Sequence, residues 1–284
     1  MKPKPGPNTS APSSSTRLDR HPYHPAEFRI AHAGILASPA SFHPKTPRIA
    51  GQAAYTIPLV QAGVIPDEKN GGSDMGIKVA KFGGTSLADA SQICKVKAIV
   101  QADPERRYVV PSAPGKRTPE DRKITDLLYL CHANANQQVP FEEVFDIIAD
   151  RYLQIVADLQ IRLDMKPHLH EIHKRITAGA SADYTASRGE YLNGLIVADL
   201  LGYDFVDAAE VIFFDDRGRF DAERTQAVLS KRLAQHERAV VPGFYGSLPN
   251  GEIKTFSRGG SDISGAIVAR GAAADVYEIG RAHV

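Results

Sequence analysis

A lysine two residues before a glycine pair forms the first candidate site of this chain. Lys81 ends a short apolar run and is followed by Phe82 and then by Gly83-Gly84-Thr85-Ser86. Glycines leave backbone N–H groups accessible and allow turns that wrap an anion. A helix starting there would add unpaired N–H groups and partial positive charge. This pattern predicts phosphate binding, although the lysine precedes the glycines, unlike in a P-loop. An ordinary strand-to-helix turn is the alternative interpretation.

A second glycine pair lies near the other end of the chain. Ser257-Arg258-Gly259-Gly260-Ser261-Asp262 leads from an extended stretch into a predicted helix over 263–270. Two such turns could direct two helix N-termini at one polyanion. Between them in the sequence, Ser187-Arg188-Gly189-Glu190 lies inside a helical pattern.

Four motifs in this order resemble those of the aspartokinases, in the amino-acid kinase family. They are VAKFGGTSL (79–87), SAPGKR (112–117), SRGEYLNG (187–194) and TFSRGGSDI (255–263). The resemblance covers roughly residues 75–278. It implies an α/β fold, a three-layer sandwich in which helices cover both faces of a mostly parallel sheet, similar to carbamate kinase.

The resemblance also implies an activity. Aspartokinases transfer the γ-phosphoryl group of ATP, with Mg²⁺, to the side-chain carboxylate of L-aspartate. The product, 4-phospho-L-aspartate, opens the route to lysine, threonine and methionine. Phosphoryl transfer needs charge neutralisation and alignment of the substrates more than covalent chemistry from the protein.

The motifs carry family roles onto individual residues of this chain. The residues expected to contact ATP are Lys81, Gly83, Gly84, Thr85, Ser86, Ser112, Gly259 and Gly260. Lys81 and Asp262 are expected to be catalytic. The residues expected to contact the amino-acid substrate are Thr125, Glu190, Arg258 and Ser261.

Two of these side chains favour an amino-acid substrate over carbamate or uridylate. Glu190 lies in a helix that is expected to be buried, and a buried carboxylate is costly unless it is paired. A substrate ammonium would pair it, and a salt bridge to Arg188 or to another internal cation is the alternative. A guanidinium such as that of Arg258 binds a carboxylate through two parallel hydrogen bonds.

Simpler roles remain open for other members of the set. Asp262 could cap the helix that it begins, Thr125 could be a helix-start hydroxyl, and Lys81 could be a solvated lysine at a strand end.

Composition and charge exclude several classes of protein. The net charge is +1, which gives no argument for nucleic acid or an acidic membrane surface. No apolar run is long enough to span a bilayer. Cys94 and Cys131 lie in apolar helical patterns and are expected to be core residues in a reducing cytoplasm. We expect no protein-bound metal, because Pro167 interrupts the spacing of His168, His170 and His173 and no cysteine is near.

Strands and helices alternate through the middle of the chain, which predicts a parallel sheet with its ligand beyond the carboxyl ends of the strands. The predicted strands are 77–81, 108–110, 205–207, 211–214, 239–241, 251–256 and 275–277. The predicted helices are 86–101, 124–135, 141–163, 164–178 with a break near Pro167, 184–201, 221–234 and 263–270.

The two ends of the sequence differ from its middle. Residues 1–74 are rich in Pro, Ser, Ala and His without an apolar period, so we expect a disordered leader, or a start codon placed too early with Met75 as the true start. A plastid address is the less favoured alternative. Residues 75–278 are expected to form an incomplete amino-acid kinase domain. Residues 279–284 are expected to be a sequencing artefact, since their codons can spell an adapter.

These boundaries affect the expected activity. Aspartokinases carry adenine-binding residues and ACT domains downstream of the position where this sequence stops. We therefore expect little turnover and a tendency to aggregate from the chain as written. The alternative functions are a non-catalytic module that binds a ligand or partner, and another member of the kinase family. The full-length protein is expected to be a cytoplasmic homo-oligomer.

Overall fold

The computed structural model describes residues 56–58, 76–257 and 259–280. The strands are β1 Thr56–Pro58, β2 Lys78–Phe82, β3 Arg106–Pro111, β4 Asp204–Phe205, β5 Ala239–Val240, β6 Tyr245–Ser247, β7 Ile253–Thr255 and β8 Val276–Gly280. The helices are α1 Ala90–Gln101, α2 Ile124–Asn136, α3 Glu142–Leu159, α4 Lys166–Thr177, α5 Ala182–Leu201, α6 Ala208–Val211, α7 Ala222–Leu233 and α8 Gly260–Gly271. A 3-10 helix spans Gly84–Leu87. Within these residues, no helix combines the length and apolarity needed to cross a membrane.

The main sheet has the strand order β1-β8-β2-β3-β5-β4. The five strands β8, β2, β3, β5 and β4 run parallel to one another, and β1 is antiparallel to its neighbour β8. Lys81 pairs with Val110 and Phe82 with Pro111, so β2 and β3 end at the same level. β6 and β7 form a separate antiparallel hairpin. The predicted mostly parallel sheet is confirmed.

Helices pack on both faces of this sheet because successive strand side chains point to opposite sides. Ala80 and Phe82 join a core formed with α1 to α5, whereas Val79 joins a second core formed with α6, α7 and α8. The predicted three-layer arrangement is therefore confirmed.

Three element predictions need correction. The predicted strand 211–214 is reduced to two isolated β-bridges, Phe213 with Ser247 and Phe214 with Phe220, because α6, capped by the Asp207 side chain at the Ala209 N–H, extends to Val211. The predicted helix 86–101 is divided, and α1 begins only after Asp89, which caps it. Pro167 lies in the first turn of α4, where its missing N–H costs nothing, and breaks no helix.

Two other expectations concern exposure. Cys94 is exposed rather than in the core, whereas Cys131 is buried, and burial raises the pKa of its thiol to about 12. His168 approaches the Tyr191 hydroxyl at 3.2 Å, and His173 packs against two phenylalanine rings.

The terminal predictions fall largely outside the described residues. Of the predicted leader 1–74, only Thr56–Pro58 is described, and it pairs with β8. Of 279–284, Ile279 and Gly280 belong to β8, and the remaining four residues lie outside the described part.

The core predicts a contrast between two adjacent isoleucines of α3. Ile148 is 0% exposed and Ile147 is 55% exposed. Ile148→Ala should lower the free energy of unfolding by about 2–5 kcal/mol, because it leaves a cavity in the core. Ile147→Ala should change it by less than about 0.5 kcal/mol. Urea unfolding measures both, and equal losses would contradict the described packing.

Candidate active site

Two loops lie against each other at the carboxyl ends of β2 and β3. The N–H of Gly115 donates to the carbonyl of Gly84 at 2.8 Å, and the N–H of Ser112 donates to the carbonyl of Phe82 at 3.1 Å. A Cβ atom at Gly84 would lie 2.7 Å from the carbonyl oxygen of Ala113. The two backbones are thus in direct contact, and Gly84 has no room for a side chain.

The Lys81 side chain extends from the end of β2 into the corner that these two loops form. The side chain is largely buried, with 7% of the residue exposed, and its Nζ lies 2.6 Å from Oδ1 of Asp262. Asp262 stands in the first turn of α8 and is exposed, after Gly259, whose φ of +84° suits only glycine well. The structure therefore brings the second glycine turn to the end of the sheet where the first one lies.

The start of α8 is held by the segment that follows β5. Ser261 packs against Gly243, where a Cβ atom would lie 2.9 Å from that of Ser261. The N–H of Phe244 donates to Oγ of Ser264 at 2.9 Å. Phe244 has φ +80°, which is strained for a residue with a side chain, and its ring packs on Gly260. This strained residue is a feature that the sequence reasoning missed.

Glu190 is a buried carboxylate without a charged partner among the described residues. It is 5% exposed, and its Oε2 accepts no hydrogen bond from them. Burial raises the pKa of this carboxyl to about 7, and a hydrogen bond from the Ala113 backbone and the charges of Arg188 and Lys81 offset part of the rise. Near neutral pH the Glu190 carboxyl group can therefore hold a proton or bind a cation.

The alternative salt bridge between Glu190 and Arg188 is not formed. The guanidinium of Arg188 instead donates from Nε and Nη2 to Oγ of Ser187. It also lies over the rings of Tyr184, Tyr191 and Tyr245. Residues i and i+2 of a helix do not face each other, which explains why the adjacent charges do not pair.

The remaining predicted residues lie at different depths around this corner. Ser86 is buried, Thr85 is exposed and Ser112 is half-buried. Thr125 lies in the first turn of α2, next to Ile124, which approaches Gly189 of α5. Arg258 lies outside the described residues.

Two further polar residues connect α5 to this corner. Nδ2 of the fully buried Asn193 donates to the carbonyl of Ser112 at 2.6 Å, while its Oδ1 has no partner among the described residues. The buried Tyr152 hydroxyl donates to the carbonyl of Gly189 at 2.8 Å. The sequence signals for Asn193 are its place in the motif at 187–194 and its position three residues after Glu190, on the same side of the helix.

The chain matches the model of the amino acid kinase family over residues 76–281. It belongs to this family. The chain is 35% identical over 217 residues to aspartokinase 3 of Bacillus subtilis, covering 71% of this chain and 48% of that protein.

Solved structures of aspartate kinases resemble a similar share of the chain. The enzyme of Clostridium acetobutylicum is 53% identical, with a TM-score of 0.70, over 71% of this chain and 47% of that chain. Aspartokinase III of Escherichia coli, in complex with aspartate and ADP, is 26% identical, with a TM-score of 0.58, over 70% of this chain and 47% of that chain. The chain spans about half the length of these relatives.

The contact between the two loops predicts that alanine is destabilising at Gly84 but tolerated at Gly83. Gly84→Ala should lower the free energy of unfolding by about 1–3 kcal/mol, because its Cβ atom collides with backbone. Gly83→Ala should change it by less than about 1 kcal/mol, because φ is −77° there and the nearest atom is the flexible Lys81 Nζ at 3.7 Å. Thermal unfolding of both variants is the measurement, and equal tolerance would contradict the close contact.

Glu190 predicts a pH-dependent stability. Because its pKa is raised from 4.5 to about 7, the folded chain keeps a proton that the unfolded chain releases between these values. Stability falls as pH rises through this window, by about 3 kcal/mol in all. Glu190→Gln should therefore gain stability over the parent as pH rises from about 5 to about 8.

The matched control is Glu171→Gln, since Glu171 is an exposed glutamate. Its stability difference from the parent should not grow over the same pH range. Chemical denaturation at several pH values makes the comparison, and a constant difference for Glu190→Gln would contradict a buried, unpaired carboxyl group.

Proposed function

We propose that this chain is the kinase domain of an aspartate kinase. It would transfer the γ-phosphoryl group of ATP to the side-chain carboxylate of L-aspartate, the first step toward lysine, threonine and methionine. The observation that carries the proposal is the unpaired, buried Glu190 beside the Lys81 loops. Similarity to aspartate kinases, one of them solved with aspartate and ADP, supports it.

The phosphate half of the proposal uses the two glycine turns. Lys81 would neutralise charge on the transferred group, and backbone N–H groups of Gly83, Gly84, Gly259 and Gly260 would bind phosphate oxygens. The Thr85, Ser86 and Ser112 hydroxyls would add hydrogen bonds. Lys81 and Asp262 already meet at 2.6 Å, so Asp262 would hold the ammonium group in place as ATP enters.

The amino-acid half uses the other charged groups. Glu190 would bind the ammonium group of aspartate, and this cation would satisfy the carboxylate that the free protein leaves unpaired. Arg258, outside the described residues, would bind a carboxylate of the substrate through two hydrogen bonds. Thr125 and Ser261 would position the substrate between Glu190 and Arg258.

The transfer itself would need no general base. A side-chain carboxylate oxygen of aspartate attacks the γ-phosphorus, a new O–P bond forms, the bond to the β–γ bridging oxygen breaks and ADP leaves. Mg²⁺ would be held mainly by the phosphates and by water, and it would supply positive charge to the phosphoryl oxygens.

The setting of this activity is part of the proposal. We take residues 75–278 as the kinase domain and the protein as a cytoplasmic homo-oligomer.

The proposal predicts different results for two lysines of β2. Aspartyl phosphate formed by the natural gene product is trapped by hydroxylamine as a hydroxamate. Lys81→Met should lower this turnover by about 10²–10³-fold. Lys78→Met should leave turnover close to that of the parent once folding is verified, since Lys78 pairs with Asp103 and Glu105 at the opposite end of the strand.

Binding separates the kinase from the non-catalytic alternative. Calorimetry should detect ATP and L-aspartate, with aspartate binding lost in Glu190→Gln. Binding of both ligands without hydroxamate formation would favour a binding module, and a response to other acceptors but not to aspartate would indicate another member of the family.

A further inference from the structure

A buried arginine on α3 joins the two loops that border the proposed phosphate site. Arg151 is 5% exposed. Its Nη1 donates to the carbonyl of Ala88 at 3.2 Å and to the carbonyl of Gly115 at 3.3 Å. Its Nη2 contacts the carboxylate of Asp121. One guanidinium thus binds the end of the first glycine turn and both ends of the loop that follows β3.

The position of Gly115 links these bonds to the proposed phosphate site. The carbonyl of Gly115 accepts from Arg151, while its N–H donates to the carbonyl of Gly84 at 2.8 Å. Gly84 is one of the residues whose backbone N–H groups would bind phosphate. By binding the Gly115 carbonyl, Arg151 therefore stabilises the contact between Gly115 and Gly84 that sets the shape of the glycine turn.

Asp121 extends the same support to the exposed part of the loop. Its carboxylate also accepts hydrogen bonds from the backbone N–H and from Nε of Arg117, at 3.1 and 3.0 Å. Burial alone would raise the pKa of the Asp121 carboxyl, but the bonds from Arg117 and the charge of Arg151 outweigh it and lower the pKa well below its usual range. Asp121 is therefore a carboxylate at neutral pH and stays paired with both arginines.

We propose that Arg151 is a positioning residue that holds the loop after β3 against the glycine turn after β2 in the conformation that binds phosphate. This rests on the proposed function for its phosphate ligand, but the contact between the loops can be measured without it. A planar guanidinium suits the role, because it can donate to two carbonyls and a carboxylate at once, whereas an ammonium group is a point charge.

The test compares Arg151→Met with a matched arginine at the opposite end of the sheet. Arg106 is partly buried, donates to the carbonyl of Ile99 at 2.7 Å and pairs with Glu278 at 2.6 Å. Arg106→Met therefore loses a similar set of bonds, at the amino end of β3. Arg151→Lys is the conservative variant that retains the charge.

The first readout is amide hydrogen exchange of segments 83–88 and 113–121. Exchange there should be about tenfold faster or more in Arg151→Met than in the parent, and unchanged in Arg106→Met. Arg151→Lys should lie between Arg151→Met and the parent. Parent-like exchange of both segments in Arg151→Met would overturn the proposal.

The second readout is the affinity for tripolyphosphate, a probe of the phosphate site alone. Arg151→Met should weaken it by about tenfold or more, and Arg106→Met should leave it unchanged. Parent-like affinity in Arg151→Met, despite faster exchange, would overturn the link to phosphate binding. If the parent itself binds no tripolyphosphate, the proposed function is contradicted, and the exchange comparison still decides whether Arg151 holds the loops together.

Discussion

The direct contact between the backbones of Gly84 and Gly115 constrains the whole candidate site. β2 and β3 are adjacent and parallel and end at the same level, so the loops that leave them must lie side by side. Only residues without side chains allow this approach. Lys81 and Ser112, the residues that adjoin the two loops, are thereby brought to the same corner. The sheet register and the two glycines together account for the position of the proposed phosphate site.

The charges in this corner are arranged for a ligand that carries both signs. Lys81 is balanced by Asp262 at the exposed side of the site, whereas Glu190 is buried and unpaired among the described residues. A buried carboxylate reduces stability unless a ligand compensates it. An anionic phosphate beside Lys81 and an ammonium group beside Glu190 would satisfy both ends, which is the charge pattern of ATP next to an amino acid.

Sequence patterns predicted the elements whose causes are local, and they failed where tertiary contacts decide. Alternating strands and helices and the two glycine turns follow from nearby residues, and the fold agrees with them. The apolar run 211–214 resembles a strand, but the helix capped by Asp207 extends to Val211, and only Phe213 and Phe214 form isolated β-bridges. Arg151 could not be found in this way, because its partner Ala88 lies 63 residues away. Arg188 lies two residues before Glu190 in the sequence, which suggests an ion pair, but side chains two residues apart on a helix point in different directions.

The most direct test of the account is the proton released when L-aspartate binds. With a pKa near 7, Glu190 is mostly protonated at about pH 6 and must lose its proton to bind an ammonium group. Calorimetry in buffers of different ionisation enthalpy should therefore find nearly one proton released per aspartate at about pH 6, and close to none at about pH 8. Aspartate binding at the lower pH without proton release would contradict the assignment of Glu190 to the substrate ammonium group.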